Sequence, residues 1–179
     1  NINKPKEALD AFLRAQSLDQ KNVEAQIGKG LALQSLEQYP KSIQVFRTIQ
    51  KTKPNDPRIF YHTGNTYQKM GHLDDAIVAL KKSVALNPNF FEAQNNLGHV
   101  FLDKGMCQDA SIAFKNAIKI RPQSAGAHCN LGNALSSINT NEAINAYNTS
   151  LAIEPKDMNV HVNLISLLIE KNLLHDIFQ

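Results

Sequence analysis

The sequence predicts an all-α protein built of stacked helix pairs. Three observations carry that expectation. Gly30, Gly64, Gly98 and Gly132 stand 34 residues apart. Pro54, Pro88, Pro122 and Pro155 repeat at intervals of 34, 34 and 33. Between these markers the apolar residues recur with helical spacing rather than strand alternation.

Each unit reads as two helices. The first carries the glycine, in stretches such as TGNTY (63–67) and LGHVF (97–101). Gly71 and Gly105 supply the turn, and HLDDA and MCQDA open the second helix. In that helix Ala76, Ile77, Leu80 and Val84 form one stripe, as do Ala143, Ile144, Tyr147 and Leu151. Ala8, Ser42, Ala76, Ala110 and Ala143 share the register, and so do Phe12, Phe46, Leu80, Phe114 and Tyr147. The proline then stops the helix. Pro40 fits a first turn, where a missing N–H costs nothing. A glycine inside a helix costs about 1 kcal/mol against alanine, so these four mark close helix approaches. The small Ala76 and Ala110 are expected to face them. One residue is missing between Gly132 and Ala143, in the turn SSINTNE (136–142).

Composition narrows the function classes. Of 179 residues, 42% are apolar and 20% charged, enough apolar residues for a core. No apolar run approaches the roughly 20 residues that span a bilayer, and NINKPKEALD does not read as a secretory signal. The net charge of +3 comes from interspersed signs. The densest basic stretch, Lys41, Arg47, Lys51, Lys53 and Arg58, contains Asp56 and no aromatic ladder, so it reads as a solvated face and not as a nucleic-acid site. Cys107 and Cys129 form no CxxC pattern, and reduced thiols fit a cytoplasmic protein.

The pattern of LG or TG, an aromatic residue or Leu three positions later, then A-x3-F and Pro, resembles the tetratricopeptide repeat along the whole chain. The resemblance gives a single array over 1–179. It has a half repeat at 1–22, full repeats at 23–56, 57–90, 91–124 and 125–157, and a partial repeat at 158–179. Several residues depart from the pattern. Gln20 replaces the expected Pro, Ile165 replaces Gly, Lys29 replaces a core Leu, and no unit has a Trp. Leu9, Phe12 and Leu18 at one end, and Leu173, Leu174, Ile177 and Phe178 at the other, are apolar without a polar cap. The chain is therefore expected to belong to a longer array, with homo-oligomerisation through the uncapped ends as one outcome.

The resemblance also implies a right-handed superhelix whose first helices line a concave groove. Residues two before and one after the register glycine are three apart and share a face. The first set is Gly28, His62, Asn96, Asn130 and Asn163; the second is Leu31, Asn65, His99, Asn133 and Ser166. An Asn amide donates and accepts in one plane, which matches the main chain of an extended peptide. Two readings stand for these residues: a clamp on a partner's backbone, or a merely wet face. The asparagines resemble the ladder in the tetratricopeptide arm of O-linked N-acetylglucosamine transferases, as does the segment AHCNLGNAL (127–135). Tyr61, Gln68, His99, Leu102 and Cys129 would tune side-chain choice. Family members that grip a terminal carboxylate use Lys and Arg, whereas the matching positions here hold Tyr61, Asn95, Cys129, Asn96 and Asn130. Arg58, Lys69, Glu92 and Asp103 give the groove mixed charge.

Other constellations are weak. His99 and Cys129 lack a third metal ligand, so no metal site is expected. His128 and His161 occupy equivalent positions and read as packing residues. Ser136 and Ser137 have no His and acid at a recognisable spacing. Every glycine belongs to the repeat, leaving no phosphate loop. The expectation is a non-catalytic scaffold without cofactor that binds an extended protein segment. The alternatives are the substrate-recruiting arm of a larger enzyme, such as a glycosyltransferase, and a self-assembly module.

Overall fold

The computed structural model describes residues 5–19 and 22–171. Among them lie ten α-helices and no strand. The chain divides into two compact units, Asn1–Pro88 and Asn89–Gln179. Among the described residues no helix is long and apolar enough to cross a membrane.

The first unit contains α1 (Pro5–Leu18), α2 (Val23–Ser35), α3 (Tyr39–Thr52), α4 (Pro57–Lys69) and α5 (Leu73–Leu86). Each helix packs on the next, across turns too short for anything but a reversal of direction. Local chemistry fixes the starts. The Asn22 side chain accepts from the Ala25 N–H at 2.9 Å, and Asp56 accepts from the Arg58 N–H at 3.0 Å with Pro57 behind it. Pro40 sits in the first turn of α3. Asp74 and Asp75 lie in the first turn of α5, where the helix dipole favours negative charge. Gly71 turns α4 into α5 at φ 76°, and Glu37 makes the equivalent turn between α2 and α3 at φ 58°. Ile27, Phe46, Ile49 and Ile59 form the core between α2, α3 and α4.

The second unit contains α6 (Phe91–Asp103), α7 (Cys107–Ile120), α8 (Ala125–Leu135), α9 (Thr140–Ile153) and α10 (Met158–Glu170). Gly105 turns α6 into α7 at φ 75°. The α8–α9 turn, which is one residue short, has no left-handed residue; Asn139 closes it by accepting from the Glu142 N–H at 3.2 Å. Ser150 Oγ donates to the Ala125 carbonyl at 2.9 Å, fastening the end of α9 to the start of α8.

The glycine approaches are real, but their partners differ from expectation. Large side chains, not Ala76 and Ala110, lie over the glycines. A Cβ on Gly98 would come 2.5 Å from Phe114 Cε1, and one on Gly132 would come 2.5 Å from Tyr147 Cε1. Gly30 faces Phe46 and Gly64 faces Leu80 in the same way, with Ala76 contributing only its carbonyl oxygen at 3.2 Å. Side chains lean toward the start of their own helix. The residue one turn beyond the register alanine therefore reaches back to the glycine.

Gly28, expected to line the groove, is covered by the Phe12 ring of α1. At the other end Val160, Leu167 and Leu168 are buried, while Met158, Val162, Ile165 and Ile169 form an exposed apolar stripe on α10. Gln20, the Leu18 side chain, and Leu173, Leu174, Ile177 and Phe178 lie outside the described residues.

Gly98→Ala tests the approach. Alanine gains about 1 kcal/mol of helix propensity but drives a methyl into the fully buried Phe114 ring. Thermal denaturation is expected to show a net loss of about 1–2 kcal/mol, against a gain if the ring yields freely.

Candidate functional site

The candidate residues lie on first helices and are all half-buried. Tyr61, Asn65 and Gln68 belong to α4 in the first unit. In the second, Asn96 and His99 belong to α6, Cys129, Asn130 and Asn133 to α8, and Asn163 to α10.

In the second unit the amides bond diagonally between helices. Asn130 Nδ2 donates to Asn95 Oδ1 and to His99 Nε2, both at 3.1 Å. Asn163 Nδ2 donates to Asn133 Oδ1 at 3.1 Å and reaches Cys129 Sγ at 4.0 Å. A residue two before the register position thus donates to the residue one after it in the preceding repeat. Asn130 Oδ1 and Asn163 Oδ1 receive no hydrogen bond from any described residue.

Two members of this network have roles that the spacing does not give. Asn95, named above only as a place where a carboxylate-gripping cation is missing, accepts from Asn130, while its neighbour Asn96 is the one on the expected face. The Asn95–Asn96 doublet was the available signal. Tyr147 OH donates to Asn133 Oδ1 at 2.8 Å from α9. Its sign was a phenol among Phe and Leu residues, since a buried hydroxyl needs a partner.

Burial tunes the titratable groups. It holds His99 below its ordinary 6.5, against the opposing charge of Asp103, and the ring also meets Phe114 edge-on at 5.3 Å. Burial likewise lowers His62, with Arg58 adding to the effect; the His62 ring stacks on Phe46 at 5.7 Å. Burial pushes the Cys129 thiol up, which keeps it protonated and unreactive at neutral pH. Tyr147 is raised to about 12, chiefly by burial, and so remains a donor.

Two of the charges expected in the groove, Arg58 and Glu92, are paired at the helix starts. Arg58 binds Glu24 and Asp56, each at 2.7 Å, and Glu92 meets Arg121 at 3.0 Å. The Arg58 hydrogen bond holds the Asp56 carboxyl below its ordinary value. His128 and His161 each bond, through Nε2 at 2.9 Å, to the carbonyl of the proline ahead of their helix, Pro122 and Pro155. Each ring fastens the loop before its helix. Ser136 Oγ donates to the Asn133 carbonyl. Among the described residues no three His, Cys, Asp or Glu side chains converge as metal ligands.

With this geometry in view, the comparisons are consistent with one another. Models described as tetratricopeptide or TPR repeats match residues 1–57, 70–105 and 91–124. The chain belongs to the tetratricopeptide-repeat proteins. It is 32% identical over 97 residues to a peroxisomal targeting signal receptor of Kluyveromyces lactis, covering 54% of this chain and 17% of the receptor. It is also 32% identical over 95 residues to the probable UDP-N-acetylglucosamine–peptide N-acetylglucosaminyltransferase SPINDLY of Hordeum vulgare, covering 53% of this chain and 10% of that protein. The crystal structure of MamA superposes with a TM-score of 0.76 at 22% identity, over 87% of this chain and 91% of MamA.

The Asn130–His99 bond has a pH signature. An imidazole that accepts an N–H must be neutral. Below about pH 6.5 the unfolded chain takes up a proton that folded His99 resists, so the unfolded state binds more protons. The stability from neutral His99 is complete above that pH and lost as pH falls through the folded value. His99→Gln should shrink the fall in Tm between about pH 7 and pH 5. His62 shifts in the same direction and retains the rest.

Proposed function

We propose that this chain is a non-catalytic binding scaffold whose first-helix faces hold an extended segment of a partner protein. The side-chain amides would grip the partner's main chain. The observation that carries this reading is the diagonal amide network of the second unit. Each donating asparagine keeps a carbonyl oxygen without a described donor, on a half-buried face. An amide already fixed through its N–H is preorganised, so it loses little rotamer freedom on accepting a peptide N–H. In the second unit Asn96, His99, Cys129 and Asn133 would contact the segment around those points, and Tyr61, Asn65 and Gln68 offer first-helix positions for a segment held on the first unit.

The paired charges at Arg58 and Glu92 favour a partner without strong net charge. The Kluyveromyces lactis relative is by its name a receptor for a targeting signal, which supports capture of a protein segment as the activity class. A cytoplasmic setting fits the two unpaired thiols, Cys107 and Cys129.

The test has two stages. A photo-crosslinking residue at Gln68 or Cys129 should capture peptides in the groove, and their affinity is then compared in Asn130→Ala/Asn163→Ala. At about 0.5–1.5 kcal/mol per hydrogen bond, the double variant should weaken binding by about 1–3 kcal/mol. Unchanged affinity would reject the amide grip.

The SPINDLY match favours a second reading, in which the chain is the recruiting arm of a larger glycosyltransferase. Its test is the coding sequence that follows Gln179. A glycosyltransferase domain supports the arm, while continuing repeats support the free scaffold.

A further inference from the structure

A second surface, in the first unit, is unlike its counterparts in the other repeats. A cleft of about 440 Å³ opens between α1, α2 and α3, lined by Leu9, Leu13, Lys29, Leu33, Lys41 and Val45. Lys29 and Leu33 lie one turn apart, on a different face of α2 from Gly28 and Leu31. The cleft is therefore separate from the amide face.

Register explains why it is open. Tyr67 occupies in the next repeat the place of Leu33, and Arg47 the place of Leu13. Arg47 Nη2 donates to Tyr67 OH at 3.0 Å, and Tyr67 stacks on His72 at 6.2 Å, closing that junction. Two leucines cannot span the same gap, and Leu13 is left 42% exposed.

Charge is also reversed there. The place of Lys41 is held by Glu7, Asp75, Asp109 and Glu142 in the other second helices. In the second unit Lys115, at the register of Leu13, pairs with Glu142 at 3.0 Å. In the cleft the acid has become Lys41, whose ammonium donates to the neutral Gln38 Oε1 at 2.9 Å. Lys29 stands where Thr63, Leu97 and Leu131 are buried, and adds a second cation.

An apolar floor edged by lysines, where the other repeats place an acid, complements a ligand combining apolar groups with negative charge. We propose that the α1–α3 cleft is a second binding site. It takes a partner-protein segment in which Leu, Phe or Met is flanked by Asp or Glu. The apolar side chain fills the space between Leu9, Leu13, Leu33 and Val45, and the carboxylates meet Lys41 and Lys29.

A displayed library of random short peptides, selected on the 179-residue chain, provides the probe. Selection should enrich peptides combining Leu, Phe or Met with Asp or Glu. Leu13→Arg/Lys41→Glu installs a cation–carboxylate pair like Lys115–Glu142 of the second unit, and it should weaken those peptides by at least about ten-fold. Asn130→Ala/Asn163→Ala should leave them unchanged. Lys41→Glu alone, an exposed change, serves if the double variant fails to fold. No enrichment, enrichment without acids, or equal binding to the Lys41 variants would overturn the proposal. So would dependence on Asn130 and Asn163, or a cleft occupied by a second copy, seen as dimerisation that Lys41→Glu abolishes.

Discussion

The seating of one large side chain over one glycine controls each helix pair. Phe46 over Gly30, Leu80 over Gly64, Phe114 over Gly98 and Tyr147 over Gly132 bring the two helix backbones as close as a missing Cβ permits. The rings of Phe46 and Phe114 are fully buried, so the distance is held by packing that has no slack. A fixed distance fixes the rotation of the first helix, and with it the direction in which the residues beside the glycine project. In the second unit the outcome is a set of amides that meet at hydrogen-bond length between helices about thirty residues apart in sequence. The polar face thus depends on an apolar contact beneath it. His99 shows the link directly, touching Asn130 on one side and the Phe114 ring on the other.

Much of this was legible in the sequence, for a physical reason. A repeat that buries its core against its neighbour must keep the same residue class at each contact, so glycine, alanine, aromatic and proline positions recur at one interval. The helix start at Pro40 was legible because a first-turn proline has a local role that needs no tertiary context; Asn22 and Asp56 cap their helices by equally local chemistry but were not singled out as caps. The partner of the glycine was misjudged. Small beside small is the simpler guess, whereas the fold sets the largest residue of the stripe against the gap.

The site was legible as a face and not as a network. Asn130, Asn133 and Asn163 fall where spacing places them, but spacing says nothing of the sideways offset between helices. That offset decides that Asn130 meets Asn95 and His99 rather than Asn96. Tyr147 escaped because its register marks it as core, yet its hydroxyl emerges on the polar side. Lys29 stood out as a departure, but the opening beside it depends on how far Leu13 and Leu33 reach, which is a matter of three-dimensional size.

Glu37 adds a mechanical consequence. It turns α2 into α3 in the left-handed region, at φ 58°, where the equivalent turns at Gly71 and Gly105 carry no side-chain penalty. A side chain held there costs about 1–3 kcal/mol, and the packing of α2 on α3 has to offset it. This hairpin therefore closes against a penalty that the glycine turns at 71 and 105 do not carry.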